Sequence, residues 1–321
     1  MCHNLILSKL GEETMQQYSY YPGCSLHSAH KGYDMSCRAV AEKLGCELIE
    51  IEDWNCCGAT IYMSVKEITS LAIASRNLAL AEQYPRDVVA PCSSCFTVLS
   101  KANRYLKNNR ELDQKVNSCL AEAGLHYGGG VRVRHPLDVL TNDVGTEIIR
   151  TYVEKPLTGL KIANYYGCQI VRPERGFDDR ENPTTMDDLF ESLGAENVYF
   201  PMKVRCCGGM LMTTYEEVAL KLSKELLECA EENGADCIIT TCPLCQMNLE
   251  SYQDKINRAF GTRFEMPILF FTQVIGVALG IDEKTLGIDK NFYRCKKLEE
   301  IARSTAVAAG NGKPAPELVE A

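Results

Sequence analysis

The chain has 321 residues, 45% hydrophobic and 24% charged, which excludes wholesale disorder and fits two domains of about 150 residues each. Its 34 Lys and Arg stand against 43 Asp and Glu, a net charge of −9 with no basic block. That balance excludes wholesale binding to a nucleic-acid backbone or an anionic membrane. The outlier is a count of 17 cysteines.

Residues 1–17 read as an N-terminal appendage, with Met15 a candidate start, and Leu5–Leu7 is too short an apolar core for a secretory signal. The first domain is expected over 18–155. Its pattern predicts strand Tyr18–Tyr21, helix Ser28–Leu44, strand Glu47–Ile51 and a long helix Ala59–Gln83. Strand Val88–Ala90, helices Ser94–Lys107 and Val116–Ala123, and strand Val131–Val133 follow. The second domain is expected over 156–290, with a boundary near Lys155-Pro156-Leu157-Thr158-Gly159. It reads as strand Lys161–Tyr166, helix Thr185–Leu193, strand Val198–Phe200, helix Thr213–Asn233, strand Ile238–Thr240 and helix Leu244–Ile256. The apolar run Met266–Ile281 contains Thr272 and Gln273 and is shorter than the ~20 residues of a membrane helix. It predicts a buried strand running into a core helix. Residues 291–321 read as a flexible C-terminal tail.

The two halves are copies. Cys56, Cys57, Cys92 and Cys95 recur at Cys206, Cys207, Cys242 and Cys245, each 150 residues on, and Cys24 recurs as Cys168 at a spacing of 144. Apolar residues Ile61, Val65, Ile68 and Ala72 match Leu211, Tyr215, Val218 and Leu222, the stripe of a core-facing helix. Asp87-Val88-Val89-Ala90-Pro91 before Cys92 matches Cys237-Ile238-Ile239-Thr240-Thr241 before Cys242. Strands alternating with helices imply an α/β fold of two tandem, duplicated Rossmann-like domains with parallel sheets. Without a signal or membrane segment the reading is cytoplasmic, where thiols stay reduced. Metal ligation or redox chemistry then explains the cysteines better than disulfides.

The repeated cysteines follow strands, at the sheet edge where open parallel sheets gather ligands. The Cys-Cys-Gly and Cys-x-x-Cys units begin helices, whose free N–H groups favour thiolates. Five thiols per half exceed the four of a structural zinc or a cubane, and point to a larger iron–sulfur assembly. Zinc shared by Cys92/Cys95 and Cys242/Cys245 is the alternative.

Cys24-(31)-Cys56-Cys57-Gly58-(34)-Cys92-x-x-Cys95 and Cys168-(37)-Cys206-Cys207-Gly208-(34)-Cys242-x-x-Cys245 resemble two cysteine-rich CCG domains. With Tyr21-Pro22-Gly23-Cys24, Trp54-Asn55-Cys56, Thr141-Asn142-Asp143-Val144-Gly145 and Tyr166-Gly167-Cys168, the span from Tyr18 to about Gly280 resembles the B subunit of heterodisulfide reductase. Related two-domain subunits serve lactate, glycolate, glycerol-3-phosphate and fumarate/succinate systems. The resemblance implies two non-cubane iron–sulfur clusters of the 4Fe-4S type, facing one another with a disulfide substrate such as CoM-S-S-CoB between them. Cys24, Cys56, Cys57, Cys92 and Cys95 would hold the first, and Cys168, Cys206, Cys207, Cys242 and Cys245 the second. It also implies a ferredoxin-like iron–sulfur subunit as electron donor and a flavin subunit beyond it. Consistent with external electrons, Gly128-Gly129-Gly130 lacks the context of a flavin loop, and no ferredoxin-type cysteine run occurs. The alternatives are an electron-transfer subunit of a flavin dehydrogenase with no substrate of its own, and a zinc-stabilised scaffold.

Other residues are weighed against blander roles. His27, His30 and His135 are candidate proton donors or substrate contacts, read as surface or supporting histidines. Arg172, Arg175, Lys203 and Arg205 crowd the second cysteine set, as anion-binding or charge-balancing groups. Cys37, Cys46, Cys119, Cys229, Cys237 and Cys295 read as packing residues, and Cys2 lies in the appendage.

Overall fold

The computed structural model describes residues 15–59, 62–172 and 177–305. The expectations for Cys2, Ile61, Arg175 and the glycine-rich end of the tail fall outside these residues. Within them lie strands β1 (Gln16–Tyr20), β2 (Cys46–Glu50), β3 (Val88–Val89), β4 (Val133–Arg134), β5 (Lys161–Tyr165), β6 (Glu196–Asn197), β7 (Cys237–Thr240) and β8 (Ile268–Phe270). They form two four-stranded sheets, ordered β2-β1-β3-β4 and β6-β5-β7-β8, with every pairing parallel. The α/β expectation of two tandem, duplicated Rossmann-like domains with parallel sheets is thus met, and the two sheets share one strand order. β3 and β7 are buried along their length, as strands covered on both faces must be.

Several local expectations are corrected. The long helix after the first Cys-Cys-Gly is broken at Lys66 into Tyr62–Val65 and Glu67–Ala81. Leu244–Ile256 is two helices, Pro243–Glu250 and Gln253–Phe260. The strand expected at Val198–Phe200 lies earlier, at Glu196–Asn197, where it pairs with the start of β5. The appendage ends sooner than expected, because β1 already begins at Gln16 beside Cys46. The tail is ordered in its first part: helix Lys296–Arg303 packs through buried Leu298 and Ile301. Its apolar residues at i and i+3 are a signal that the polar composition of the tail obscures. Met266–Ile281 is a buried strand, β8, leading into helix Phe271–Ala278, as read.

The duplicated apolar stripe is also corrected. Val65, Ile68, Tyr215 and Val218 are 71%, 42%, 69% and 49% exposed. The faces that enter the core are Leu71, Ala74 and Leu78 in one half, and Leu220, Leu227 and Ala230 in the other. Val65 and Tyr215 precede helices Glu67–Ala81 and Glu216–Glu232, and Ile68 and Val218 sit in their first turns on the solvent side.

The halves share a core rather than merely adjoin. Helix Phe271–Ala278 of the second half packs on helix Lys31–Lys43 of the first, where Ser36 Oγ meets Thr272 Oγ1 at 2.7 Å. Nearby, the backbones cross so closely that a Cβ on Gly32 would lie 2.7 Å from the Gly287 carbonyl oxygen. At the centre, Tyr33 Oη donates towards two carbonyls, Pro91 at 3.1 Å and Thr241 at 3.2 Å, the second in the other half. Ser93 Oγ reaches the same Thr241 carbonyl at 3.0 Å. His135 completes this girdle. Fully buried, it contacts the Pro91 carbonyl through Nε2 at 2.7 Å and accepts the Leu137 N–H on Nδ1.

Burial pushes the His135 imidazole down to about 4. The unfolded chain protonates its histidine near 6.5, so the folded state resists a proton that the unfolded state accepts. Stability is complete above pH 6.5 and falls as pH drops towards 4, by about 3 kcal/mol from this group. Denaturant melts across that window should show the loss in the native chain and a much flatter response in His135→Gln.

A duplicated string of thiols as the candidate metal centre

Each half delivers its five cysteines from three places: the turn after its first strand, the Cys-Cys-Gly loop, and a helix N-terminus after its third strand. Cys92 follows β3 and caps helix Ser93–Asn108, and Cys242 follows β7 and caps helix Pro243–Glu250. One turn into each helix stand Cys95 and Cys245. All four are buried, whereas Cys24, Cys56 and Cys206 are exposed and Cys168 is half-buried.

The sulfurs form a chain. Cys24 and Cys56 are 3.8 Å apart, Cys57 and Cys95 3.2 Å, and Cys207 and Cys245 3.6 Å. Cys56 and Cys57, Cys92 and Cys95, Cys168 and Cys206, Cys206 and Cys207, and Cys242 and Cys245 are near enough to perturb one another's acidity. Cys92 and Cys242 lie close enough across the halves for each to shift the other's acidity, which sets the two quintets side by side. Among the described residues no three or more His, Cys, Asp or Glu side chains are grouped as for a metal ion. The sulfurs run in file rather than closing around one point.

Along the string, three thiols are more acidic than their neighbours. Hydrogen bonds from Cys56 and Cys95 hold the Cys57 thiol well below the usual thiol range despite burial, with the Ala59 N–H assisting. Cys206 falls to about 2, because Cys168 and Cys207 donate to it, with the Gly208 N–H adding to both. Cys242 is depressed by Cys245 and Cys92, and by the N–H groups of Cys245 and Leu244 at its helix start. Their donors, Cys56, Cys95, Cys168 and Cys245, are raised in turn. The loop N–H groups form the backbone nests that suit anionic sulfur.

The two halves position this string by the same devices, which the cysteine pattern does not announce. Tyr21 Oη donates to the Asn55 carbonyl at 2.7 Å, and Tyr165 Oη to the Arg205 carbonyl at 2.7 Å. Each tyrosine thus pins the residue before a Cys-Cys pair. A Cβ on Gly23 would sit 3.1 Å from Cys95 Sγ, and one on Gly167 3.1 Å from Cys245 Sγ. Glycine is therefore needed on the sulfur side of both turns. The signal is present as Tyr21-Pro22-Gly23-Cys24 and Tyr165-Tyr166-Gly167-Cys168, without a hint that the hydroxyls reach the loops.

The other candidates separate. His27 is exposed on the rim of the first set, bonded at 3.0 Å to Glu50, which also takes the Trp54 indole N–H and the Arg38 guanidinium. His30 is buried at 8% exposure, with Nδ1 lacking a hydrogen-bond partner. His135 belongs to the girdle described above. Arg172 Nε donates to the Cys168 carbonyl at 3.2 Å. Arg205 lies 3.9 Å from Glu225, and Lys203 is bound to Asp187 at 2.8 Å. Gly128 and Gly130 N–H groups grip the Glu82 carboxylate, so that glycine run is already filled from within. Cys37, Cys46, Cys237 and Cys295 are buried, as packing residues are, but Cys119 is exposed, which corrects its reading. It lies on the solvent side of helix Arg110–Ala121, which buries Val116 and Leu120.

The cysteine-rich domain family (CCG) matches residues 18–100 and 162–250, the two spans that carry these cysteines. The B subunit of the ferredoxin/F(420)H(2)-dependent CoB-CoM heterodisulfide reductase of Methanosarcina acetivorans is 33% identical over 92% of this chain and 99% of its own length. A protein of Archaeoglobus profundus described as like the B subunit of heterodisulfide reductase is 35% identical over 85% of this chain and 94% of its own. The chain belongs to the heterodisulfide reductase B-subunit family. A further relative is the "8-methylmenaquinol:fumarate reductase membrane anchor subunit" of Wolinella succinogenes, 37% identical over 88% of this chain and 99% of its own length. Among the described residues no helix is long and apolar enough to cross a membrane. A hypothetical protein from Helicobacter pylori shares the fold, with a TM-score of 0.73 at 17% identity over 87% of this chain. This chain spans about half of that protein, 52% of its length.

The family's doubled Cys-Cys-Gly turns are not equally tolerant. Gly208 has φ +95°, and a Cβ there would meet Ala219 backbone at 2.8 Å, whereas at Gly58, with φ +77°, the nearest atom is an Ile73 methyl at 3.7 Å. Gly58→Ala should cost about 1–2 kcal/mol of backbone strain. Gly208→Ala should cost that strain plus a further 1–3 kcal/mol or so of overpacking. Chemical denaturation of the two variants checks the order.

Proposed function

We propose that this chain is the electron-transfer, disulfide-reducing subunit of a heterodisulfide reductase-like complex, with two iron–sulfur clusters on its ten repeated cysteines. The observation that carries the reading is the pair of matched cysteine quintets, with sulfurs 3.8 Å apart at Cys24–Cys56, 3.2 Å at Cys57–Cys95 and 3.6 Å at Cys207–Cys245, whose buried Cys92 and Cys242 face each other across the halves. Support comes from the family and from relatives named as heterodisulfide reductase subunits.

The donor set fits such clusters. Soft thiolates suit iron and sulfide. Backbone N–H groups aimed at Cys56, Cys57, Cys206, Cys207 and Cys242 stabilise anionic sulfur. Five cysteines in file suit an extended assembly better than a single tetrahedral ion, which favours iron–sulfur over zinc. On this reading Cys24, Cys56, Cys57, Cys92 and Cys95 hold one cluster of non-cubane type, and Cys168, Cys206, Cys207, Cys242 and Cys245 the other. Bound there, the clusters supply one-electron chemistry on both sides of the junction. The chain's own groups do the rest. Tyr21 and Tyr165 fix the Cys-Cys loops. Tyr33, Ser93 and Thr241 set the spacing between the halves, and the buried faces of Cys92 and Cys242 keep bulk water from the junction.

The exposed cysteines mark where electrons enter. Cys24, Cys56 and Cys206 face solvent, and exposed Val65 and Ile68 follow Cys56 in sequence as exposed Met210, Tyr215 and Val218 follow Cys206. A ferredoxin-like iron–sulfur subunit docking there, with a flavin subunit behind it, suits a chain that works in the reducing cytoplasm. A second reading, electron transfer with no disulfide of its own, is favoured by the likeness to the fumarate reductase subunit.

The purified chain or complex should contain iron and acid-labile sulfide, and Cys57→Ala should remove about half of both while the Cys207 set keeps its share. Bound zinc without sulfide would overturn the reading. After chemical reduction, addition of candidate disulfides should restore the oxidised visible spectrum with release of thiols. Indifference to every disulfide would leave the second reading standing.

A further inference from the structure

Reduction of a disulfide follows RS–SR′ + 2 e− + 2 H+ → RSH + R′SH. On the reading above, the electrons come singly from an iron–sulfur protein partner, and the protons must come from water. Yet the junction is dry: Cys92, Cys95, Cys242 and Cys245 are 3–6% exposed. A route for protons has to be built into the protein.

A cavity of about 130 Å3 runs beside helix Pro243–Glu250, between it and the turn that precedes helix Lys31–Lys43. Its lining includes His30, Gln246, Glu250, Phe270, Gln273 and Phe292. At ~30 Å3 each, about four water molecules fit such a volume. At its outer end Phe292 is 69% exposed, and the Phe292 N–H donates to Glu250 Oε1 at 3.1 Å. The other Glu250 oxygen takes the Gln246 amide. Gln246 in turn interacts with the His30 ring. His30 is 8% exposed with its Nδ1 unpartnered. Its ring stands edge-on to Phe270 at 6.0 Å, and Phe270 stacks at 4.0 Å on Tyr33, the residue that holds the Pro91 and Thr241 carbonyls. Cys242 is close enough to act electrostatically on the imidazole.

We propose that Glu250, Gln246 and His30 line a proton route from solvent to the Cys92–Cys242 junction. Glu250 is the entrance group, Gln246 orients the cavity's hydrogen bonds, and His30 passes protons towards the thiolates formed as the S–S bond breaks. Burial raises the Glu250 carboxyl to about 7, so it both takes up and gives up a proton near neutral pH. The groups facing it are compatible with that role. Lys290, from the segment after β8, is turned to Asp289; Tyr293 bonds Asp254; and His30, on the inner side, is held down by burial. Among the described residues the symmetry-related approach does not repeat the Gln246 and Glu250 side chains. The positions 150 residues earlier are Phe96 and Ser100, which line a wide groove of about 1190 Å3 instead. One symmetry-related passage is thus narrow and proton-bearing, and the other broad.

The proposal rests on the disulfide-reducing reading, and the test separates the two. Glu250→Gln keeps an oxygen for the Phe292 N–H, and His30→Phe keeps an aromatic ring against Phe270. The reduced, cluster-bearing protein is mixed with a disulfide that reoxidises the native chain, across neutral pH, and separately with ferricyanide, which needs no proton. Infrared spectra of the native chain and of Glu250→Gln are recorded over the same range. The expected result is about tenfold slower reoxidation by disulfide in both variants, the scale of a lost proton-transfer group. The inflection near pH 7 should be absent in Glu250→Gln, ferricyanide rates should be unchanged, and a protonated-carboxyl band titrating near 7 should occur only in the native chain. Native disulfide rates in both variants, or no such band in the native chain, overturn the route and leave the function intact. A native chain that responds to ferricyanide and to no disulfide overturns the function, and the route with it.

Discussion

Two helices begin at one place. Cys92 and Cys242 each end a buried strand and each cap a helix, and the two caps meet across the molecular dyad. Helix N-termini carry partial positive charge, so bringing two together in a dry interior is unfavourable unless negative charge lies between them. Thiolate sulfur is that charge. Tyr33, Ser93 and Thr241 fasten the carbonyls just before the caps, so the strands cannot draw apart to relieve the opposition. The outer cysteines, the Cys-Cys loops and the tyrosines that pin them are arranged around this buried meeting point.

The architecture is legible in the sequence because duplication amplifies weak signals. A short strand such as Val88–Val89 is ambiguous alone, but its match at Cys237–Thr240, at the same distance before a cysteine, fixes its type and its place. The ten cysteines are legible for the same reason, and the structure brings them into one string. What is not legible is mostly long-range. Nothing local marks Tyr33 as a bridge between halves, or Gly32 and Gly287 as a backbone crossing. The exposed stripe at Val65, Ile68, Tyr215 and Val218 misleads because periodicity reports amphipathic character, not which solvent or partner the apolar side meets. Helix Lys296–Arg303 escapes notice because its apolar face is only Leu298 and Ile301 among charged neighbours.

The copies have drifted apart where symmetry is not needed. The pinning tyrosines, the turn glycines and the strand order are kept in both halves. Around them, the first half has gathered Glu50, Arg38, His27 and Trp54 into a polar rim, while the second has Arg172 at the Cys168 carbonyl. The helices behind the caps differ too, with Phe96 and Ser100 facing one passage and Gln246 and Glu250 the other. A pseudo-symmetric frame that presents two matched cysteine quintets need not treat the two approaches to them alike.

The glycine crossing makes the two copies interdependent. Gly32 and Gly287 let the opening helix of the first copy lie directly on a loop near the end of the second, and Phe271–Ala278 shuts over that same helix. Cut at the joint near residue 156, the leading fragment would present a bare oily flank where its sister now lies, and the trailing fragment the matching one. Each copy thus serves as the lid on the other's flank, and the pair behaves as a single body.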